Sequence, residues 1–248
     1  MHRVLFCPPA YYEVRDVKNP FMQSAAPAGD WSPFHEAAVG SAVDVLCDVA
    51  DREHADVIVV GANGMSGVGR ALFGSTTEGL LRTADHSVLV VPDAWTPPRR
   101  DTDDLTGVGP VVVGVEPTPP ALAAAHAGRA LATLLGTSLE MRHVVPRPSV
   151  LSRWAAHADV AQQQRLEDAR TRLTESVMRG DLASATMQIT TGPVDEQLAD
   201  AVRATGERRP LLVLGRRTHA ERGGAPGHIT VRVIARTQAP VLMYLPDR

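Results

Sequence analysis

The sequence predicts an α/β fold built on a mainly parallel sheet, and three observations carry that prediction. Hydrophobic residues make up 44% of the chain but aromatics only 4%. The core must therefore be made of Val, Leu and Ala, as in buried parallel sheets covered by Ala-rich helices. Short β-branched runs alternate with stretches of helical periodicity along most of the length. A glycine-rich segment leaves the end of one such run and enters the start of a helix, the position where open α/β sheets hold ligands.

In the first half, Val39, Val43, Leu46, Val49 and Ala50 recur at helical spacing between His35 and His54. Val57-Ile58-Val59-Val60 then reads as a buried strand. After the glycines from Gly61 to Gly74, a short helix starts at Ser75, and Val88-Leu89-Val90-Val91 forms a strand closed by Pro92. Residues 96–108, containing Pro97-Pro98-Arg99-Arg100, have the composition of a linker.

The second half, 109–248, opens with the strand Val111–Val115 and an Ala-rich helix from Ala121 to Leu135 that stops at Gly136. A strand from Leu139 to Val145, a helix marked by Leu166, Ala169, Leu173 and Val177, and a strand from Ala185 to Thr190 follow. Val194, Leu198, Ala201 and Val202 mark the next helix, and strands at Leu211–Leu214 and Val241–Tyr244 complete a five-stranded unit.

The halves are similar near their ends. Val57-Ile58-Val59-Val60-Gly61 matches Leu211-Leu212-Val213-Leu214-Gly215, Gly74-Ser75-Thr76-Thr77 falls opposite Gly227-His228-Ile229-Thr230, and Val88–Pro92 opposite Val241–Pro246. An internal duplication is expected, with only the last helix, strand, helix and strand present in the first copy.

The net charge of −3 and the isolated Arg pairs, 99–100, 208–209 and 216–217, argue against bulk nucleic-acid binding and read as solvated surface. Cys7 and Cys47 form neither a disulfide framework nor a CxxC site, so a reducing compartment is expected, with Cys47 an inert thiol on a helix. Pro8 and Pro9 interrupt any signal-peptide core, and no stretch approaches the roughly 20 apolar residues of a membrane span. A cytoplasmic protein, without membrane or nucleic-acid partner, is the expectation.

The sharpest motif is Gly61-Ala62-Asn63-Gly64, nine residues, then Gly74-Ser75-Thr76-Thr77. Glycines let a backbone approach a polyphosphate, and the Ser75 and Thr76 hydroxyls beside free helix N–H groups can serve phosphate oxygens. The spacing is neither a Walker loop nor a dinucleotide fingerprint. A structural reading stands beside this one, in which Ser75 caps the helix and Glu78 completes an S-x-x-E capping box. The histidines show no HExxH or nucleophile-and-base arrangement and read as surface or capped residues, so no enzyme is expected.

At these residues the chain resembles the universal stress protein family, whose nucleotide-binding members carry a G-x2-G-x9-G-(S/T) loop. The likeness runs from the helix before Ala55 through Val57–Gly61, the loop, Glu78-Gly79-Leu80-Leu81-Arg82 and Ser87 to Pro92. It implies a Rossmann-like sheet in two repeats and an ATP site lined by Val60, Gly61, Asn63, Gly64, Gly74, Ser75, Thr76 and Thr77, with phosphates nearest Gly74 to Thr77. It also implies an adenine-nucleotide-binding stress or regulatory protein whose halves pack as an internal pseudo-dimer through Val88–Val91 and Val241–Tyr244, and it allows a homodimer of the whole chain. The alternatives are an interaction protein that has lost its nucleotide, or a slow ATP hydrolase.

The second half resembles the same family with a damaged motif. Glu116-Pro117-Thr118 replaces the usual acid, glycine and serine, Thr218 takes the second glycine's place, and His228 that of the hydroxyl residue. Residues 32–95 thus read as a partial domain with the intact loop, and 109–248 as a complete domain unable to bind. Residues 1–31 depart from the family. Arg3-Val4-Leu5-Phe6-Cys7-Pro8-Pro9-Ala10-Tyr11-Tyr12 through Asn19-Pro20-Phe21-Met22 resembles instead the opening of amidinotransferase and dimethylargininase enzymes, but no matching Cys and His setting follows.

Overall fold

The computed structural model describes residues 4–6, 41–62, 75–92, 95, 108–147, 158–205, 209–216 and 228–246. Eight strands are joined in one sheet in the order β1-β2-β3-β8-β7-β4-β5-β6. These are β1 Val4–Phe6, β2 Val57–Gly61, β3 Ser87–Val91, β4 Val108–Gly114, β5 Leu139–Val145, β6 Thr186–Thr191, β7 Arg209–Gly215 and β8 Val241–Tyr244. The described helices are α1 Ala42–Arg52, α2 Ser75–Thr83, α3 Pro119–Leu134, α4 Ala158–Ser176, α5 Val194–Arg203 and α6 His228–Arg236.

Local chemistry sets the helix ends. Ser41 Oγ accepts the Asp44 N–H at 3.2 Å and caps α1. Pro119 and Pro120 open α3, where a missing N–H costs nothing, and Gly136 takes the left-handed φ of +62° that terminates it. The buried face of α3 is Ala121, Ala124, Ala125, Gly128 and Ala132. These small residues let the helix lie close on β4, where a Cβ at Gly128 would come within 2.5 Å of Val113 Cγ2.

The sheet is covered on both sides. One core cluster joins Leu46, Leu80, Leu198, Val233 and Ile234 to Val88, Val112 and Leu212. The other joins Ala124, Ala132, Leu173 and Val177 to Val111, Val113, Met141 and Val213. Alternate residues of β4 point to opposite clusters, the period-two pattern of a strand buried on both faces.

One strand pairing repeats between the halves. β2 and β3 pair in parallel with Gly61 opposite Val91, and β7 and β8 pair in parallel with Gly215 opposite Tyr244. The next residues repeat one bond, since Ala62 N–H donates to Val91 O and Arg216 N–H to Tyr244 O, both at 2.8 Å. Among the described strands, β1, β2 and β3 of the first half take the places that β4, β7 and β8 take in the second, where β5 and β6 are added.

The halves meet where β3 and β8 run antiparallel, the one such pairing among the described strands. Val88 faces Met243, Leu89 faces Leu242 and Val90 faces Val241. With Val91 equivalent to Tyr244, the joint is self-complementary about Leu89 and Leu242, as at the interface of a two-fold dimer. The two segments expected to meet do pair. β4 begins at Val108, inside the range expected to be linker.

One sequence expectation is corrected. Arg216 is not solvated surface, for it is 4% exposed and its guanidinium donates to Ala84 O, just past the end of α2. It stands one residue past the end of β7, where it meets the first half instead of solvent. Glu78, in the first turn of α2, pairs with Arg82 at 2.7 Å.

Candidate functional site

The glycine segment begins at the carboxyl end of β2 and its far end enters α2. Thr77 Oγ1 donates to Gly61 O at 2.8 Å, across 16 residues of chain. That bond holds the first turn of α2 against the end of β2. Free N–H groups of a first helical turn are donors for an anion.

The eight residues expected to line an ATP site divide by location. Asn63, Gly64 and Gly74 lie outside the described residues. Gly61 is at the strand end, and among the described residues nothing approaches within 4 Å of where its Cβ would be, leaving its face open to backbone approach. Thr76 is half-buried in the first turn of α2, which also includes Ser75. Val60 is buried in the core on β2 opposite Val90, and Thr77, 4% exposed, donates its hydroxyl to Gly61 O.

A separate concavity lies in the other half. A cleft of about 720 Å³ opens at the carboxyl ends of β4, β5 and β7, where the chain order reverses about β4. Its lining includes the exposed Glu116 and Pro117, the half-buried Thr230, and the buried Arg216, Leu198 and Met243. The sequence marks part of its wall, Glu116-Pro117-Thr118, as a damaged family motif, but the rest comes from distant segments with no common motif.

Position by position, this cleft is not a copy of the first-half site. Gly215 corresponds to Gly61, yet a Cβ there would strike Pro120 O at 2.3 Å, so the first turn of α3 covers that face. Pro119 and Pro120 bring no N–H groups to that turn, and His228 and Ile229 replace Ser75 and Thr76.

His143, expected to be a surface or capped histidine, is half-buried here. It lines the cleft, and its Nδ1 lies 2.7 Å from Val115 O. A carbonyl only accepts, so Nδ1 carries the proton and Nε2 is the acceptor when the ring is neutral. Val115 N–H donates to Arg142 O at 2.8 Å, so β5 grips both polar atoms of Val115 and fixes the start of the Glu116 rim.

No group of His, Cys, Asp and Glu among the described residues could hold a metal ion. No described helix is long and apolar enough to cross a membrane.

An open, mostly parallel sheet wound on both faces, with a glycine segment entering a helix at its carboxyl edge, defines a Rossmann-like α/β protein. The profile of Usp, the universal stress protein family, matches residues 12–92, which contain the whole glycine segment. That match begins inside the stretch 1–31 read above as atypical.

The chain is 34% identical over 90 residues to the universal stress protein Rv1636 of Mycobacterium tuberculosis, covering 36% of this chain and 59% of that protein. It thus spans less than two thirds of the curated relatives that it matches. Among solved structures, a functionally unknown protein of Pseudomonas aeruginosa PAO1 superposes with a TM-score of 0.55 at 16% identity, over 82% of this chain and 67% of that one. A universal stress protein of Archaeoglobus fulgidus superposes with a TM-score of 0.50 at 18% identity, over 83% of this chain and 66% of the other. At these identities the likeness speaks for the fold, and it takes in both halves.

Proposed function

We propose that the chain is an adenine-nucleotide-binding regulatory protein of the universal-stress type, acting in the cytoplasm, that takes ATP at the glycine segment of its first half and performs no chemistry on it. The observation carrying this reading is the Thr77–Gly61 hydrogen bond. It holds both ends of the segment 61–77 at the carboxyl edge of the sheet, with the open face of Gly61 beside the amino end of α2. The matched family profile over 12–92 supports it. The phosphates would meet the N–H groups at the start of α2, and the sequence of residues 61–77 contains no Asp, Glu or His to serve as a general base.

The self-complementary β3–β8 joint supports an internal pseudo-dimer of the two halves. Because that pairing occupies the inner edges of both, a homodimer of the whole chain would use another surface, such as the end strands β1 and β6.

Calorimetric titration of the full chain with ATP, AMP and GTP tests the reading, together with a Gly74→Val variant that blocks backbone approach. Saturable binding of one ATP, lost in Gly74→Val, is the expected result. Silence toward all three nucleotides would overturn it, and release of ADP on the titration timescale would overturn the non-catalytic part.

A further inference from the structure

The second-half cleft combines an apolar interior with an unneutralised cationic rim. Val194 and Leu198 of α5 and Ile229 of α6 line one side, and Ile229 is 45% exposed although strongly apolar. Across the carboxyl ends of the strands stands α4, which presents Arg165, Ala169 and Arg172 to the cleft. The spacing i, i+4, i+7 puts these three on one helix face. Both arginines are exposed, and neither has a carboxylate partner among the described residues; Arg172 Nε reaches only the Asp168 carbonyl, at 3.3 Å. Arg142, by contrast, is neutralised by Glu140 at 2.7 Å.

The polar demands of this cleft differ from those of the first-half site. Its turn at α3 begins with two prolines, the face of Gly215 is covered by Pro120, and hydroxyls are missing from the first two positions of α6. Charge recognition has moved from backbone amides to guanidinium groups on α4, which read carboxylate, sulfonate or phosphate oxygens through paired N–H donors. Glu116 on the opposite rim disfavours a second negative charge at the far end of a ligand.

We infer that this cleft is a separate site for an amphipathic organic anion, whose apolar body lies against α5 and α6 and whose single anionic head sits between Arg165 and Arg172. The inference does not depend on nucleotide binding in the first half.

The test uses the full chain and 8-anilinonaphthalene-1-sulfonate, with the uncharged N-phenyl-1-naphthylamine as its headless counterpart. One sulfonate dye per chain is expected, with affinity at least about tenfold lower in the Arg165→Ala/Arg172→Ala double variant, a change of ~1.4 kcal/mol. The uncharged dye should bind parent and double variant alike, and Ile229→Asp should weaken both dyes. All three positions are substantially exposed, so circular dichroism should match the parent. Unchanged sulfonate affinity in the double variant, absence of dye binding, or several dyes per chain would overturn the inference. So would displacement of the dye by ATP in both parent and Gly74→Val, which would make the cleft a nucleotide site. Failure of ATP to bind at all would overturn only the function proposed for the first half.

Discussion

Ser87 and Leu245 are joined twice through one hydroxyl: Ser87 Oγ accepts the Leu245 N–H at 3.0 Å and donates to the Leu245 carbonyl at 3.3 Å. This pair extends the β3–β8 joint at one end only. The equivalent positions at the other end are Pro92 and Pro240, which have no N–H and no hydroxyl, so the otherwise self-complementary joint is fastened asymmetrically. Ser87→Ala leaves a buried N–H without its partner and should lower stability by about 1–3 kcal/mol. Urea denaturation measures it; a change under about 0.5 kcal/mol, the range of neutral surface substitutions, would contradict the assigned role.

The equivalent glycines Gly61 and Gly215 should respond oppositely to the same change. Gly215→Ala drives a methyl into the backbone of Pro120, at 2.3 Å from its carbonyl oxygen, and should destabilise by about 1–3 kcal/mol. Gly61→Ala meets no described atom within 4 Å, so stability should hold while ATP affinity falls. Equal melting shifts for the two variants would show that the halves are packed alike at this point.

Thr77 is predicted to position the segment and not to bind phosphate. Thr77→Ser keeps the hydroxyl that reaches Gly61 O and should retain nucleotide affinity, whereas Thr77→Val loses the bond and about 0.5–1.5 kcal/mol of stability along with binding. Calorimetry on both variants decides. Full ATP affinity in Thr77→Val would remove the tie from the argument.

Asp195 fixes α5 against α6. It is 2% exposed and lies 2.9 Å from Arg236 Nε and 3.6 Å from Arg232 Nε, while both arginines remain about half exposed. Asp195→Ala should cost about 1–3 kcal/mol, since it removes a buried acceptor at the start of α5 as well as the charge partner. A thermal melt indistinguishable from that of the parent would refute this.

Burial first, and then the carboxylates of Asp51, Asp44 and Asp48, push the Cys47 thiol above its ordinary value of 9.0, against an opposing effect of Arg216. The folded state therefore favours the protonated thiol. The stability tied to it is fully present below the unfolded value and declines as pH rises from there through the folded value. In a Cys7→Ser background, iodoacetamide should modify Cys47 more slowly than an unstructured cysteine peptide at pH 9.0, where a thiol of that ordinary value is half ionised. An equal or faster rate would contradict the predicted shift.

Much of the fold was legible because its strands are apolar on both faces. Val57–Val60 and Leu211–Leu214 need no alternation to be recognised, and the turn chemistry at Gly136 closes α3 where expected. The antiparallel meeting of Val88–Val91 and Val241–Tyr244 came from the family resemblance, since periodicity says nothing about which strands pair. The site was legible only in part. Gly61 and the start of α2 carry a local pattern, but the use of Thr77's hydroxyl depends on a contact across 16 residues. Arg165 and Arg172, Leu198, and Ile229 come together only once three helices are wound around one sheet edge. Asp195 and Arg236 were hidden for the same reason, because each looks like ordinary helix-surface charge in its own segment.

The place of β8 has a consequence for the order of folding. It follows every other described strand in the chain, yet it lies in the interior of the sheet between β3 and β7. Until it docks, both neighbours are open edges rich in Val and Leu, the kind of surface on which chains associate with one another. The three-stranded piece from the first half must wait for a partner about 150 residues away, a long loop closure that slows the productive route relative to mispairing. Refolding should therefore show a slow phase in which β8 completes the sheet, and the population at risk of aggregation should be the one that has formed β1–β3 and β4–β7 but not yet closed the gap between them.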